Sequence, residues 1–139
     1  MDIDFVQHPD EADYQTVRQG IIRYNRPHFS KQDVTPVACF ARNELGEVKG
    51  GLTGEIYANT LFVEFLWVDD SLRSEGVGRQ LMLRAEAEAK ALGVTHLYLD
   101  TFTFQAREFY IKLGFEEVGR YTGYPTRGVD KIFLQKAIG

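Results

Sequence analysis

The hydrophobic periodicity of this chain changes near residue 70, and the change limits the folds that it can adopt. Before it, residues 36–41, 47–57 and 61–68 are β-rich runs joined by short turns, which predicts an antiparallel meander. After it, residues 76–92 carry apolar side chains at helical spacing, and a glycine stands where the helix should end. We therefore expect a sheet built from hairpins to lead into a long helix.

The flanking sequence adds shorter elements around this centre. Residues 4–7 predict a first strand, and a helix from about Pro9 to Asn25 should bury a stripe that contains Val17 and Ile21. Beyond the long helix we predict a strand at 94–100, a helix at 105–113, and strands at 115–121 and 129–135. The order β-α-β-β-β-α-β-α-β-β describes an α+β fold, a mixed sheet with helices on both faces, in a single domain over residues 1–139.

Composition and charge exclude several classes of protein. With 139 residues, of which 44% are hydrophobic and 26% charged, the chain can bury one core and is not disordered. Its net charge of −4 gives no electrostatic basis for binding nucleic acid or acidic lipid. No apolar run approaches the roughly 20 residues of a membrane span, and residues 1–9 do not resemble a signal peptide. We expect a cytoplasmic protein with a reduced Cys39 and, because the three histidines lack ligand spacing, no metal.

The segment 66–79 carries the most chemical information. An apolar strand leads into a polar loop, and the loop enters the long helix through Gly76 and Gly78. A helix N-terminus has free N–H groups and a partial positive charge, which suits a phosphate. Glycines without a Cβ let a pyrophosphate approach the backbone, and Arg73 and Arg79 can add charge-assisted hydrogen bonds.

Two other phosphate-binding motifs fit the two glycines less well, and a purely structural role is also an alternative. A Walker loop requires lysine after the last glycine, and here Arg79 follows Gly78. A dinucleotide fingerprint requires a third glycine, where this chain has Leu81, although Asp100 lies near the expected distance for the acid. The loop from Val68 to Gly76 is also too long for that tight turn. The plain alternative is a simple turn before an ordinary helix.

Residues 73–78, Arg-Ser-Glu-Gly-Val-Gly, match the acyl-CoA-binding signature of the GNAT superfamily: Arg or Gln, two residues, Gly, one residue, Gly or Ala. Residues 106–115 resemble the second cofactor segment of that family, and residues 66–68 stand where the family has the strand beside the pantetheine arm. The chain thus resembles a small bacterial-type, single-domain GNAT N-acetyltransferase over nearly its whole length. It departs from the family at Thr103, where many members have a cofactor-binding asparagine.

The resemblance implies that the chain binds acetyl-CoA as a co-substrate. Backbone N–H groups from Ser74 to Arg79 would hold the pyrophosphate, and Leu66 and Val68 would pair with pantetheine if the neighbouring strand splays away. In a closed sheet those backbone groups would already be used. Thr103 or Gln105 would replace the missing asparagine. The implied cofactor residues are Leu66, Trp67, Val68, Arg73, Ser74, Glu75, Gly76, Val77, Gly78, Arg79, Thr103 and Gln105.

Tyr110 is the candidate general acid, because the matching tyrosine of the family points at the thioester sulfur. A thiolate has a pKa of about 8.5 and a phenol one of about 10, which is close enough for proton donation. The alternative is a tyrosine that packs in the core or on the surface.

Glu64 is the candidate base, because it is a lone acid in an apolar strand and an alkylammonium must lose a proton before it attacks. Leu66 lies two residues on, so strand alternation would put both side chains on one face. The alternatives are a solvent-exposed glutamate or a partner for Arg23, with Asp69 and Asp70 as rival bases.

The acceptor site is less constrained. Aromatic faces can hold a cationic amine, and we expect Tyr24, Trp67 and Tyr121 to line the site. The sequence predicts an acetyl-CoA-dependent N-acetyltransferase that acts on a primary amine of a small molecule by direct attack in a ternary complex. A protein or peptide acceptor and a non-catalytic acyl-CoA sensor are the alternatives, and the resemblance makes a homodimer an open option.

Overall fold

The computed structural model describes residues 1–29 and 33–139, which fall into two compact units, Met1–Asp33 and Val34–Gly139. Helix α1 (Glu11–Asn25) is the regular element of the first unit. Acidic residues occupy its first turn and Arg23 its last turn, so both ends complement the helix dipole. The prediction of this helix is confirmed.

Two other expectations for the first unit are wrong. Residues 4–7 form no strand in the described part of the chain, because the unit offers no neighbouring strand to complete a ladder. Val17 and Ile21 are 74% and 53% exposed, so the expected stripe is not buried. A single helix has no second element within its unit to cover its apolar side chains.

The second unit contains a six-stranded mixed sheet and two helices. Its elements are β1 (Val34–Arg42), β2 (Val48–Tyr57), β3 (Thr60–Val68), α2 (Val77–Ala91), β4 (His96–Phe102), α3 (Arg107–Lys112), β5 (Glu116–Tyr121) and β6 (Lys131–Ala137), with a short 3-10 turn at Asp70–Leu72. The strand order is β1-β2-β3-β4-β6-β5, and only the β3–β4 pair is parallel. The mixed α+β architecture and the meander β1-β2-β3 confirm the sequence prediction.

One continuous core joins α2, α3 and the sheet. Helix α2 contributes Leu81, Met82, Ala85 and Ala89, which lie on one side of the helix at positions three or four apart. Tyr110 on α3 belongs to the same core. The fully buried side chains of the sheet are Leu52, Leu61, Leu97, Leu99, Ile132 and Leu134. In the described ranges, none of the helices combines the length and the apolar character that a membrane span requires.

The two central strands of the sheet separate along their length. The parallel ladder joins Thr60–Phe62 of β3 to His96–Tyr98 of β4 and then ends, although both strands continue. On the other side of β3, Thr53 pairs with Phe65 while Gly54 pairs with Val63. Glu64 is therefore the extra residue of a β-bulge, a feature that bends a strand and increases its twist.

Candidate active site

The separation of β3 and β4 opens a gap in the middle of the sheet. Beyond Phe62 and Tyr98, the described residues of the two strands form no ladder with each other. The edge of β3 that faces β4 therefore keeps backbone groups that the sheet does not use. This is the splay that pairing with an extended ligand requires.

A cavity of about 450 Å³ lies at the end of β3, between the following loop and both helices of the unit. We call it the loop cavity. It is lined by Leu66, Trp67, Val68, Leu72, Arg73, Ser74, Gly76, Val77, Gly78, Arg79, Ala106 and Phe109. The fold thus gathers nine of the twelve predicted cofactor residues around one space. Glu75, Thr103 and Gln105 do not line it.

The backbone of the loop presents free N–H groups at the start of α2. Ser74 and Gly76 have left-handed φ angles of 68° and 75°, and the first helical hydrogen bond runs from the Gln80 N–H to the Gly76 carbonyl, at 3.0 Å. Within residues 1–29 and 33–139, the N–H groups of Val77, Gly78 and Arg79 have no backbone acceptor. Such a run of amides at a helix N-terminus forms an anion-binding concavity.

The side chain of Arg73 can also reach an anion. Its Nε donates to the Asp70 carboxylate at 2.9 Å, but the two side chains are 73% and 90% exposed. An exposed pair of this kind contributes little to stability, so the guanidinium can leave it for a bound anion at little cost.

A second cavity of about 370 Å³ adjoins the loop cavity on the side of Tyr110, and we call it the tyrosine cavity. It is lined by Glu64, Phe65, Leu66, Trp67, Asp100, Thr101, Gln105, Ala106 and Tyr110. Leu66, Trp67 and Ala106 line both cavities, so a ligand could extend from the loop past β3 to Tyr110. A third cavity of about 410 Å³, between β1, β2 and α2, shares none of these residues.

Tyr110 is held firmly in the core. It is 8% exposed and packs edge-on against Phe109 and Phe115, with ring centroids 5.1 and 5.7 Å away. Tyr110 lines the tyrosine cavity, and its hydroxyl makes no hydrogen bond with the described residues. Burial raises the pKa of the phenol above its usual value of 10.0, so it keeps its proton at neutral pH.

Glu64 also lines the tyrosine cavity, but the strand-alternation argument that placed it there is wrong. The bulge at Glu64 interrupts alternation, and Leu66 pairs with the buried Leu52 on the core side of the sheet. Glu64 is exposed and reaches the same cavity as Leu66 because the sheet is open at this point.

The two rival bases lie outside the loop cavity and the tyrosine cavity. The Asp69 carboxylate accepts hydrogen bonds from the hydroxyl and the N–H of Ser71, and these hold its pKa below the usual value. Asp70 accepts from Arg73. Neither aspartate lines a cavity, so Glu64 and Asp100 are the carboxylates next to Tyr110.

The residues expected to replace the family's asparagine make internal hydrogen bonds. The Thr103 hydroxyl accepts from the Asp130 N–H at 3.2 Å. The Gln105 side-chain oxygen accepts from the Thr101 hydroxyl at 3.0 Å and from the Phe102 N–H at 2.9 Å. Gln105 still lines the tyrosine cavity, whereas Thr103 lines neither cavity. Their roles toward a cofactor stay predictions.

The three predicted acceptor residues lie in different places. Trp67, which is 54% exposed, lines both cavities. Tyr121, at the end of β5, is 58% exposed and packs edge-on against Tyr124 at 5.1 Å. Tyr24 lies on α1, in the other unit, and is 73% exposed. Asp100 was missed as a site residue, although an acid inside an apolar strand is the same signal that selected Glu64.

Comparisons with known proteins show which family the chain resembles. A model of the acetyltransferase (GNAT) family matches residues 3–115. The chain is 38% identical over 113 residues to the blasticidin-S acetyltransferase of Streptomyces morookaense, covering 81% of this chain and 82% of that protein. It is 30% identical over 105 residues to acetyltransferase Atu2258 of Agrobacterium fabrum, covering 76% and 77%. The crystal structure of an acetyltransferase from Bacillus cereus superposes with a TM-score of 0.88 at 34% identity, covering 97% of this chain and 98% of that one.

Proposed function

The chain belongs to the GNAT family of acetyltransferases, and we propose that it transfers an acetyl group from acetyl-CoA to a primary amine of a small molecule. The observation that carries this proposal is the open edge of β3 between the free amides of the loop and Tyr110, which lines the tyrosine cavity. A small-molecule acceptor is supported by the relative that is named for blasticidin S and matches 81% of the chain.

The donor would lie along the two cavities. Amides of Val77, Gly78 and Arg79, with the Arg73 side chain, would bind the pyrophosphate. The pantetheine arm would run along the free edge of β3, with its amides paired to the strand. A backbone N–H near Trp67 or Val68 would then polarise the thioester carbonyl, a contact typically worth about 2.7–4 kcal/mol in the transition state.

The chemical step would be direct attack in a ternary complex. Glu64 takes a proton from the acceptor ammonium, and the free amine attacks the thioester carbon. The new C–N bond forms as the C–S bond breaks, and the departing sulfur takes the proton of Tyr110. The second proton lost by the attacking nitrogen then restores the Tyr110 phenol, so the products are the amide and the free thiol of CoA. Because burial raises the pKa of Tyr110, the acid form needed for this step is present at neutral pH.

The test measures acetyl-CoA binding by calorimetry and release of free CoA with a panel of amines that includes blasticidin S and a lysine peptide. A Cβ at Gly78 meets only the Phe109 ring, at 3.5 Å, and Val68, at 3.8 Å, so Gly78→Glu should fold. Its carboxylate would meet the phosphates, and we expect affinity to fall at least a hundredfold, or about 2.7 kcal/mol.

Gly20→Glu on α1 is the matched control, because a Cβ there meets nothing within 4 Å, and we expect it to bind normally. Equal affinity in the wild type and Gly78→Glu would contradict the phosphate site. Binding without CoA release with any amine would favour a sensor, and release with the lysine peptide alone would favour a protein acceptor.

A further inference from the structure

Four aromatic side chains form a cluster where β4 and β5 end. We call Phe102, Phe104, Tyr121 and Tyr124 the ring cluster. Phe102 stacks on Phe104, with centroids 5.6 Å apart and rings 2° from parallel, and on Tyr124, at 6.3 Å and 20°. Tyr121 meets Tyr124 edge-on at 5.1 Å. Three of the four rings stay largely in solvent: Phe104 is 71% exposed, Tyr121 58% and Tyr124 42%.

The ring cluster adjoins the tyrosine cavity through Asp100 and Lys131. Asp100 lines that cavity, and its carboxylate lies 3.7 Å from the Lys131 ammonium. The same ammonium lies 5.7 Å from the centroid of the Tyr124 ring. The Lys131 ammonium thus lies between Asp100, which lines the cavity, and the Tyr124 ring of the cluster.

Hydrogen bonds to Asp130 hold the two loops that carry the rings. The Asp130 carboxylate accepts from the Gly123 N–H, at 3.2 Å, and from Arg120, at 3.2 Å. Its backbone N–H and carbonyl both pair with Thr103, at 3.2 and 3.0 Å. The rings are thus positioned before any ligand arrives, which lowers the entropic cost of binding on them.

The charged side chains near the ring cluster determine which chemical group of a ligand can bind on the rings. Lys131 already supplies the cation over Tyr124, so an ammonium placed there would meet a like charge. Of the two carboxylates that line the tyrosine cavity, Asp100 already faces Lys131 at 3.7 Å, so Glu64 is the one that can meet an ammonium. Exposed aromatic faces beside a resident cation favour a flat, uncharged, unsaturated ring, which gains from stacking beyond its buried area.

We propose that the acceptor amine carries a flat unsaturated ring, which stacks on the ring cluster while its ammonium group enters at Glu64. This inference rests on the proposed function and adds the class of acceptor. It makes the acceptor an aromatic or heteroaromatic amine rather than an aliphatic polyamine.

The test compares 2-phenylethylamine with 2-cyclohexylethylamine, which share the amine and the chain length but differ in the ring. We expect kcat/KM to be about tenfold higher for the unsaturated ring, the upper range for an aromatic pair. Tyr124→Leu and, separately, Tyr121→Leu should bring the ratio close to one while leaving acetyl-CoA affinity unchanged. Tyr57→Leu, at the far end of β2, is the control and should keep the ratio.

The outcomes separate this inference from the proposed function. An equal rate with both amines, or a preference that survives both ring-cluster variants, overturns the inference and leaves the proposed function standing. Acetyl-CoA binding without turnover of either amine, while an aliphatic polyamine is acetylated, also overturns the inference alone. Failure to bind acetyl-CoA at all overturns both.

Discussion

The two halves of β3 differ in the number of neighbouring strands that pair with them. Thr60–Phe62, the paired half, lies between β2 and β4 with a ladder on both sides. Phe65–Val68, the open half, keeps its ladder with β2 only. Leu61 in the paired half is 1% exposed. Its neighbour Phe62 is half-buried, whereas Phe65 and Trp67 in the open half are 66% and 54% exposed. One strand thus contributes to the core at its start and to the site at its end.

This difference shows how the sheet makes a binding edge. In the paired half, backbone groups and side chains both serve stability. In the open half, the bulge at Glu64 and the departing β4 leave backbone groups free and bring two carboxylates and a phenol to one opening. Changes in the first half should therefore affect folding, and changes around the second should affect turnover.

The largest effect is expected from a substitution in the paired half. Leu61→Ala leaves a cavity in the core, and we expect the free energy of unfolding to fall by about 2–5 kcal/mol. Acetyl-CoA affinity of the folded fraction should not change. Urea unfolding and calorimetry measure the two quantities. Phe65→Ala, an exposed position in the open half, is the control and should change stability by no more than about 0.5 kcal/mol. Equal destabilisation by both variants would remove the distinction between the halves.

The second largest effect is expected from a substitution at the tyrosine cavity. Tyr110→Phe removes a hydroxyl that has no hydrogen-bond partner among the described residues, so stability should change little. We expect kcat to fall roughly a hundredfold, the lower range for loss of a general acid. The KM for acetyl-CoA should stay the same.

Its control is Tyr98→Phe, because burial also raises the pKa of Tyr98 but this tyrosine pairs with Phe62 in the paired half. Tyr98→Phe should keep kcat. The wild-type rate should also fall at alkaline pH, as the Tyr110 phenol, whose pKa is raised by burial, loses its proton, and Tyr110→Phe should lack this limb. A Tyr110→Phe enzyme with full kcat would place the acid elsewhere or make it unnecessary.

Local patterns predicted the paired half better than the open one. The meander and α2 follow from turns and helical spacing, which neighbouring residues determine. The end of the β3–β4 ladder depends on residues about 36 positions apart, and strand alternation cannot reveal a bulge. Alternation therefore gave the wrong face for Glu64.

The same limit applies to side chains whose partners are distant in sequence. The cofactor role of Thr103 stays a prediction, and the sequence gives no sign that the Thr103 hydroxyl accepts from the N–H of Asp130, 27 residues away. The strand predicted at residues 4–7 failed because β-propensity does not supply a partner strand. The glycines of the loop can be recognised from the sequence because their motif is contiguous.

The smallest expected effect concerns the ion pairs that join α3 to β5. In the paired half, backbone hydrogen bonds hold the strands and do not titrate. Near the opening, Arg107 at the start of α3 donates to Glu117 on β5 at 2.8 Å, and Arg120 donates to the same carboxylate at 2.9 Å. Arg120 makes a second hydrogen bond to the same carboxylate at 3.1 Å, and the bonds from Arg120, followed by that from Arg107, lower the pKa of Glu117 from 4.5 to about 2.

A carboxyl whose pKa is lower in the folded state stabilises the fold above its ordinary pKa and stops doing so as pH falls to the folded value. The stabilisation from Glu117 is therefore present above pH 4.5 and lost between 4.5 and about 2. Glu117→Gln should be slightly less stable than the wild type at pH 7, and the difference should disappear over that range. Glu116→Gln, which changes the neighbouring carboxylate that accepts from Gln135 rather than from an arginine, is the matched control. Hydrogen exchange should locate the loss in α3 and spare the paired half, since the ion pairs hold the helix that carries Tyr110. An equal loss of hydrogen-exchange protection in α3 and in the paired half would mean that α3 is not stabilised separately from the core.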